Sequence, residues 1–151
     1  MGKQSAGVLP YRKIGGLVEV LIGHPGGPFW ARKDDGAWSV IKGEYTPEED
    51  PEDAARREFR EETGVDVPAG ALVRLPEIRQ RGGKVVTVFA IEADVDISQA
   101  VSNTFEMEWP PKSGTMQSFP EMDRVQWFPV ADARVKLLAA QAPILDSLPA
   151  R

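Results

Sequence analysis

An α/β domain in which a mixed β-sheet is packed between helices is what this sequence predicts. Three observations carry that expectation. Short apolar runs separated by turn residues fill the first half, one strongly capped amphipathic segment interrupts them, and a last apolar run gives way to a closing helix. With 151 residues, 42% of them hydrophobic, the chain can bury one sizeable core and is short for two, so residues 1–151 are expected to form a single domain.

The elements follow in order. Residues 5–12 and 17–22 read as strands joined by a turn at Gly15-Gly16. Residues 25–36, rich in Gly, Pro and charge, are a loop, and residues 38–41 a short strand ahead of Lys42-Gly43. Asp50-Pro51-Glu52-Asp53 is a helix start, with Asp as N-cap, Pro at the first helical position and acids in the first turn; Gly64 ends the helix. Residues 71–79 and 84–93 read as strands flanking Gly82-Gly83, the second so uniformly apolar that it belongs inside the sheet. Residues 98–123 form the longest irregular stretch, and long loops in compact domains are usually functional or disordered. Residues 125–130 make a last strand. Residues 131–148 are expected to be a helix with inward Val135, Leu138, Ala139 and Ala142.

Composition excludes several classes of function. No apolar run approaches the ~20 residues needed to cross a bilayer, and Met1-Gly2-Lys3-Gln4-Ser5 has no apolar signal core, so a cytoplasmic protein without membrane partners is expected. The absence of cysteine excludes disulfides, a thiol nucleophile and thiolate-ligated zinc. Net charge is −5, yet residues 43–65 hold nine acids against three bases, a net of −6, so the remaining fifteen bases and fourteen acids sum to +1. Such a chain is not an electrostatic binder of long nucleic acid; its one acidic segment is suited to hard cations.

On the helix opened by Pro51, at 100° per residue, Glu62 lies roughly 40° to one side of Glu58 and Glu61 roughly 60° to the other. Three carboxylates share a face, with small Ala54 among them, while Ala55 and Phe59 form the apolar stripe that packs the helix down. Like charges one turn apart cost a helix about 0.2–0.5 kcal/mol. Mg²⁺ or Mn²⁺ would offset that, because these cations take oxygen ligands and bind substrate phosphates at the same time. The plainer reading is a solvated acidic face balanced by Arg56, Arg57 and Arg60.

Spacing decides between them. Gly43, Glu49, Arg57, Glu58, Phe59, Glu61, Glu62, Gly64 and Val65 stand at intervals that resemble the Nudix box, G-x5-E-x7-R-E-U-x-E-E-x-G-U with U bulky and apolar, and every fixed position is filled. Seven fixed identities at set spacing have a chance probability on the order of 10⁻⁷. Phe59 stands where the family more often has an aliphatic residue. The lead-in from Trp38 to Glu44 also resembles the family's, with Ile41 in place of a customary proline.

The resemblance implies the Nudix fold, a mixed sheet sandwiched between helices, and a metal-dependent hydrolase that cleaves the pyrophosphate bond of nucleoside diphosphate-linked substrates. It implies that Glu58, Glu61 and Glu62 bind Mg²⁺ with help from the Gly43 carbonyl, and that Arg57 and Glu49 pair to orient these acids. A forked guanidinium suits that task, since it holds a carboxylate bidentately. The expected reaction is attack of water on phosphorus, with charge on the bridging oxygens neutralised. An additional Glu outside the box serves some relatives as base or ligand; of Glu106, Glu108 and Glu121, the last is best placed, just before the final strand.

Phosphate contact is expected from Lys42, Arg32, Lys33 and Lys112. Trp30, Trp38, Trp109 and Phe119 are candidates to stack a base, although core packing is the better expectation for Trp38 and Trp127. His24 reads as a polar loop residue. Dinucleoside polyphosphates or nucleoside triphosphates are favoured as the small-molecule partner, acted on by a monomer or homodimer. ADP-ribose or a nucleotide sugar is the alternative; subfamily markers for a dinucleoside polyphosphatase (a tyrosine after the box) and for ADP-ribose (a proline) are missing. A non-catalytic ligand-binding module is the remaining reading, but such modules commonly lose box acids and none is lost here.

Overall fold

Strand β1 (Gln4–Ile14) organises the sheet in the computed structural model, which describes residues 3–149. Met1 and Gly2, and the end of the expected domain span at 150–151, lie outside the described residues. From Ser5 to Tyr11 every side chain of β1 is buried, as expected of a strand covered on both faces. It runs parallel to β6 (Val85–Glu92), pairing Gln4 with Val85 and Tyr11 with Glu92. On its other edge it has two antiparallel partners: its first half pairs with β3 (Ile41–Glu44) and its second with β2 (Leu17–Pro25). The main path is β4-β6-β1-β2-β9, with β3 beside β1 and β5 beside β6; β4 is Val73–Arg74, β5 is Ile78–Arg79 and β9 is Met122–Pro129. The sheet is mixed, as predicted.

Alternation along the strands builds a core on each face. Val8, Leu21 and Phe89 point to one side, where α1 (Pro51–Thr63) lays down Ala54, Ala55 and Phe59. Leu9, Val20, Ile22 and Val88 point to the other, covered by α2 (Val130–Lys136) and a 3₁₀ turn (Ala142–Ser147) through Ala133, Leu137, Ile144 and Leu145. Ala54, expected among the acids, is fully buried in the α1 contact. Among the described residues no helix is long and apolar enough to cross a membrane.

Five expectations need correction. Trp38 and Ser39 make only isolated bridges, to Leu137 and Gly23, and the strand proper begins at Ile41. The run 71–79 is split into β4 and β5, because Pro76 has no N–H for the ladder. The stretch 98–123 is no structureless loop: β7 (Thr104–Glu108) and β8 (Met116–Pro120) form a hairpin whose turn is tied by the Glu108 carboxylate, which accepts from Lys112 and Gly114 N–H at 3.1 and 3.0 Å. β9 starts at Met122 rather than residue 125. The closing helix is cut after Lys136, where the Trp38 backbone intervenes, its N–H donating to Lys136 O and its carbonyl accepting from Leu138 N–H, both at 2.9 Å. Val135, read as inward, is 57% exposed.

Candidate active site

Helix α1 is fixed at both ends before it presents anything. The Asp50 carboxylate accepts from Glu52 and Asp53 N–H at 3.1 and 3.2 Å, and Gly64, at φ 73°, donates its N–H to Arg60 O at 2.7 Å. With Phe59 fully buried against the sheet, Glu58 and Glu62 turn into a cavity of about 420 Å³. They are 7% and 8% exposed, so two of the three acids are buried rather than displayed on a solvated face; Glu61, side chain 41% exposed, stands at the rim.

Arg57 binds these acids together. Its Nε and one terminal nitrogen grip Glu49 bidentately at 2.8 and 2.9 Å, and the other terminal nitrogen donates to Glu61 at 2.7 Å and Glu58 at 3.0 Å. These bonds hold the guanidinium further above its usual range, and the Arg57 bond holds the Glu49 carboxyl below its own. Gly43, in β3, approaches Glu58 so closely that a Cβ there would overlap the Glu58 carboxylate. Only glycine leaves that backbone open to the acids.

Distant segments complete the cavity: Ser5 from β1, Lys84 from just before β6, Asn103 from before β7, and Glu121 from between β8 and β9. Glu121 thus joins the three box acids, and Lys42 lies among them. Burial, followed by the charges of Glu121, Glu58 and Glu61, pushes the Glu62 carboxyl up to about 8, with only Lys42 pulling the other way. Burial raises Glu58 against the opposing pull of Arg57, and partial desolvation raises Glu121, which stands exposed at the rim. Burial and Lys84 together lower Lys42 despite its acidic neighbours.

Five carboxylates against two lysines leave the cavity short of positive charge, and an oxygen-seeking divalent cation fits it. Among the described residues no three acidic or imidazole side chains converge closely enough to hold an ion by themselves, and Arg57 occupies an oxygen each of Glu58 and Glu61. The Gly43 carbonyl, water and phosphate oxygens would have to complete the shell, which is how Mg²⁺ usually binds.

Other expected residues lie elsewhere. Arg32, Lys33 and Lys112 do not line the cavity. The Lys33 ammonium sits 5.1 Å from the Trp30 ring centroid, and Lys112 occupies the hairpin tip with φ 61°. No aromatic ring lines the cavity: Trp109 packs on Phe29 and Phe119 on Phe105. Trp38 is buried in the core as expected, and Trp127 is half-buried beneath the Arg12 guanidinium, 4.1 Å from its ring centroid. Glu106 and Glu108 belong to β7. His24 is no polar loop residue; it ends β2 fully buried, hydrogen-bonded at both nitrogens. Sequence reasoning missed Glu44, Lys84, Ser5 and Asn103. Lys84 had a signal, since it precedes an apolar strand, but only the parallel β1–β6 register brings it beside Ser5.

Comparison with known proteins agrees. Residues 3–148 match the model of the NUDIX domain. No curated protein matches the chain. Solved structures that resemble it include a binary complex of C. elegans Ap4A hydrolase, 22% identical with a TM-score of 0.59 over 96% of this chain and 93% of that one. The NUDIX domain of Shewanella oneidensis NrtR complexed with ADP ribose is 16% identical, with a TM-score of 0.65 over 97% and 86%. The Nudix hydrolase RenU of M. smegmatis is 22% identical, with a TM-score of 0.58 over 97% and 85%. At such identities the likeness shows the fold, and the family generally uses a divalent metal, typically Mg²⁺. With its box complete and the domain model spanning nearly all its length, the chain belongs to the NUDIX domain family.

Proposed function

We propose that this chain hydrolyses a pyrophosphate linkage in a nucleoside di- or polyphosphate derivative, with Mg²⁺ held by Glu58, Glu61, Glu62 and the Gly43 carbonyl. One observation carries the reading: five carboxylates from three segments (Glu44 of β3, Glu58, Glu61 and Glu62 of α1, and Glu121) and two lysines, Lys42 and Lys84, face one small polar cavity. When bound, the cation neutralises charge on the phosphate oxygens and lowers the cost of water attack. Arg57 and Glu49 hold the acids in place, and Lys42 and Lys84 draw in the phosphates. Glu121, at the cavity rim and raised by partial desolvation, takes a proton from the attacking water as its oxygen bonds to phosphorus; the bridging P–O bond breaks and the leaving phosphate carries away its electron pair.

Chains of this fold include an Ap4A hydrolase and an ADP ribose-bound domain, so substrate choice rests on the cavity rather than the fold. Two lysines and no aromatic ring suit a run of phosphates better than a sugar, which favours dinucleoside polyphosphates or nucleoside triphosphates over ADP-ribose and nucleotide sugars. With Arg32, Lys33 and Lys112 outside the cavity, this preference rests on Lys42 and Lys84 alone. The test is kcat/KM for diadenosine tetraphosphate, a nucleoside triphosphate, ADP-ribose and a UDP-sugar, with Mg²⁺ or Mn²⁺. Preference for either of the last two overturns the substrate choice. No turnover of any by folded protein points to a non-catalytic module.

A further inference from the structure

A β-bulge at the sheet edge deepens the reading of Glu121 and rests on it. β2 and β9 keep register from Glu19↔Pro129 to His24↔Arg124, but Pro25 then pairs with Met122, leaving Asp123 as an extra residue without a partner across the ladder. The slip changes which side chains face α1. Val125 and Trp127 pack on that face, and alternation would have Asp123 follow them; Met122 does so instead. Asp123 turns to His24, its Oδ1 2.7 Å from Nδ1. The buried ring places Nε2 2.6 Å from the Lys33 carbonyl and stands edge-on to Trp38, centroids 5.2 Å apart. A carbonyl only accepts, so Nε2 donates to it. The Arg124 guanidinium lies 3.8 Å from the same Asp123 oxygen.

Glu121 lies two residues upstream of the bulge with both main-chain groups engaged: its N–H donates to Asn103 O at 2.8 Å and its carbonyl accepts from Gly26 N–H at 2.9 Å. Gly26 follows His24 by two residues, and a Cβ on it would overlap the Pro120 carbonyl. The two segments are therefore in close contact on both sides of the pair. We infer that His24 and Asp123 are positioning residues, whose contact fixes the bulge and thereby sets the reach of Glu121 into the acidic cavity.

The test is a double-mutant cycle on whichever of the four substrates above the wild type turns over fastest, with Mg²⁺ saturating, together with amide hydrogen exchange at Gly26 in metal-free protein. E121Q should lower kcat roughly 10²-fold, as loss of a general base does. D123A should lower kcat about 10-fold with KM little changed, the size of effect seen when an orienting partner is lost, and D123N should lower it less, since its amide still hydrogen-bonds to the ring. In the E121Q background D123A should cost nothing further, whereas a generally damaged protein would lose the same factor in both backgrounds. Gly26 exchange should quicken in D123A. Equal losses in both backgrounds, or unchanged kcat and unchanged Gly26 exchange, overturn the inference. Should D123A not fold, the same cycle with D123N decides. Full activity in E121Q overturns the reading of Glu121 itself, a result distinct from either.

Discussion

Of the segments that bring acids to the cavity, α1 and the turn between β8 and β9 do so by opposite means. Helix α1 carries Glu58, Glu61 and Glu62 within two turns, and everything that aims them is local: the Asp50 cap, the Phe59 anchor, and an Arg57 fork reaching only to Glu49 and its own helix. Glu121 stands alone, and its aim depends on Asn103, Gly26 and a bulge held by a histidine far away in sequence. A site of this kind divides its tasks. One part is set by a short repeatable motif, the other by how the rest of the chain closes around it.

The difference can be broken most sharply at the helix. Glu62→Gln should lower kcat roughly 10³-fold while circular dichroism stays unchanged, because electrostatic stabilisation of the transition state is lost and the fold is not. Full activity at saturating Mg²⁺ would remove Glu62 from the metal site. Arg57→Lys comes next: the charge remains but the fork is lost, and a fall of about 10–100-fold is expected. Wild-type rates would show that local aiming by the guanidinium is unimportant.

A pH titration joins the two segments. The Glu62 carboxyl moves from 4.5 to about 8 on folding, so the folded state holds its proton more tightly than the unfolded chain. That contribution is fully present below pH 4.5 and lost as pH rises toward 8. Metal-free wild type should thus lose on the order of 2–4 kcal/mol relative to Glu62→Gln across that range, as urea unfolding at several pH values would measure. Mg²⁺ should flatten the slope, and Glu121→Gln should shallow it, since the Glu121 charge is the first neighbour acting on Glu62. A slope indifferent to Glu121 would separate the two segments again. The smallest effect belongs to the cap: Asp50→Ala should cost about 1 kcal/mol of stability with near-normal kcat.

Legibility followed the same division. The α1 cap, its Gly64 stop and the acid face were readable because helical periodicity acts over a few residues, and the Arg57–Glu49 pair followed from the resemblance to the Nudix box. The hairpin at 104–120 was not, since its strands are only five residues long, β8 does not alternate, and its turn is closed by the Glu108 side chain. Lys84 was missed, and Arg32, Lys33 and Lys112 misplaced, for one reason: composition marks a base as available, but only tertiary register says which cavity it meets. The closing helix failed where Trp38 reached across to take its backbone, a contact invisible from residues 131–148 alone.

The parallel pairing of β1 with β6 also bears on the order in which the molecule is made. Gln4 emerges from the ribosome long before Val85, its partner, and until β6 arrives that edge of β1 has nothing to bind. Helix α1 can form early, but Ser5, Lys84, Asn103 and Glu121 gather only once strands remote in sequence have closed. Such non-local pairing slows folding, typically to milliseconds or seconds. Nascent chains that end before β9 would therefore carry an intact motif and no assembled cavity.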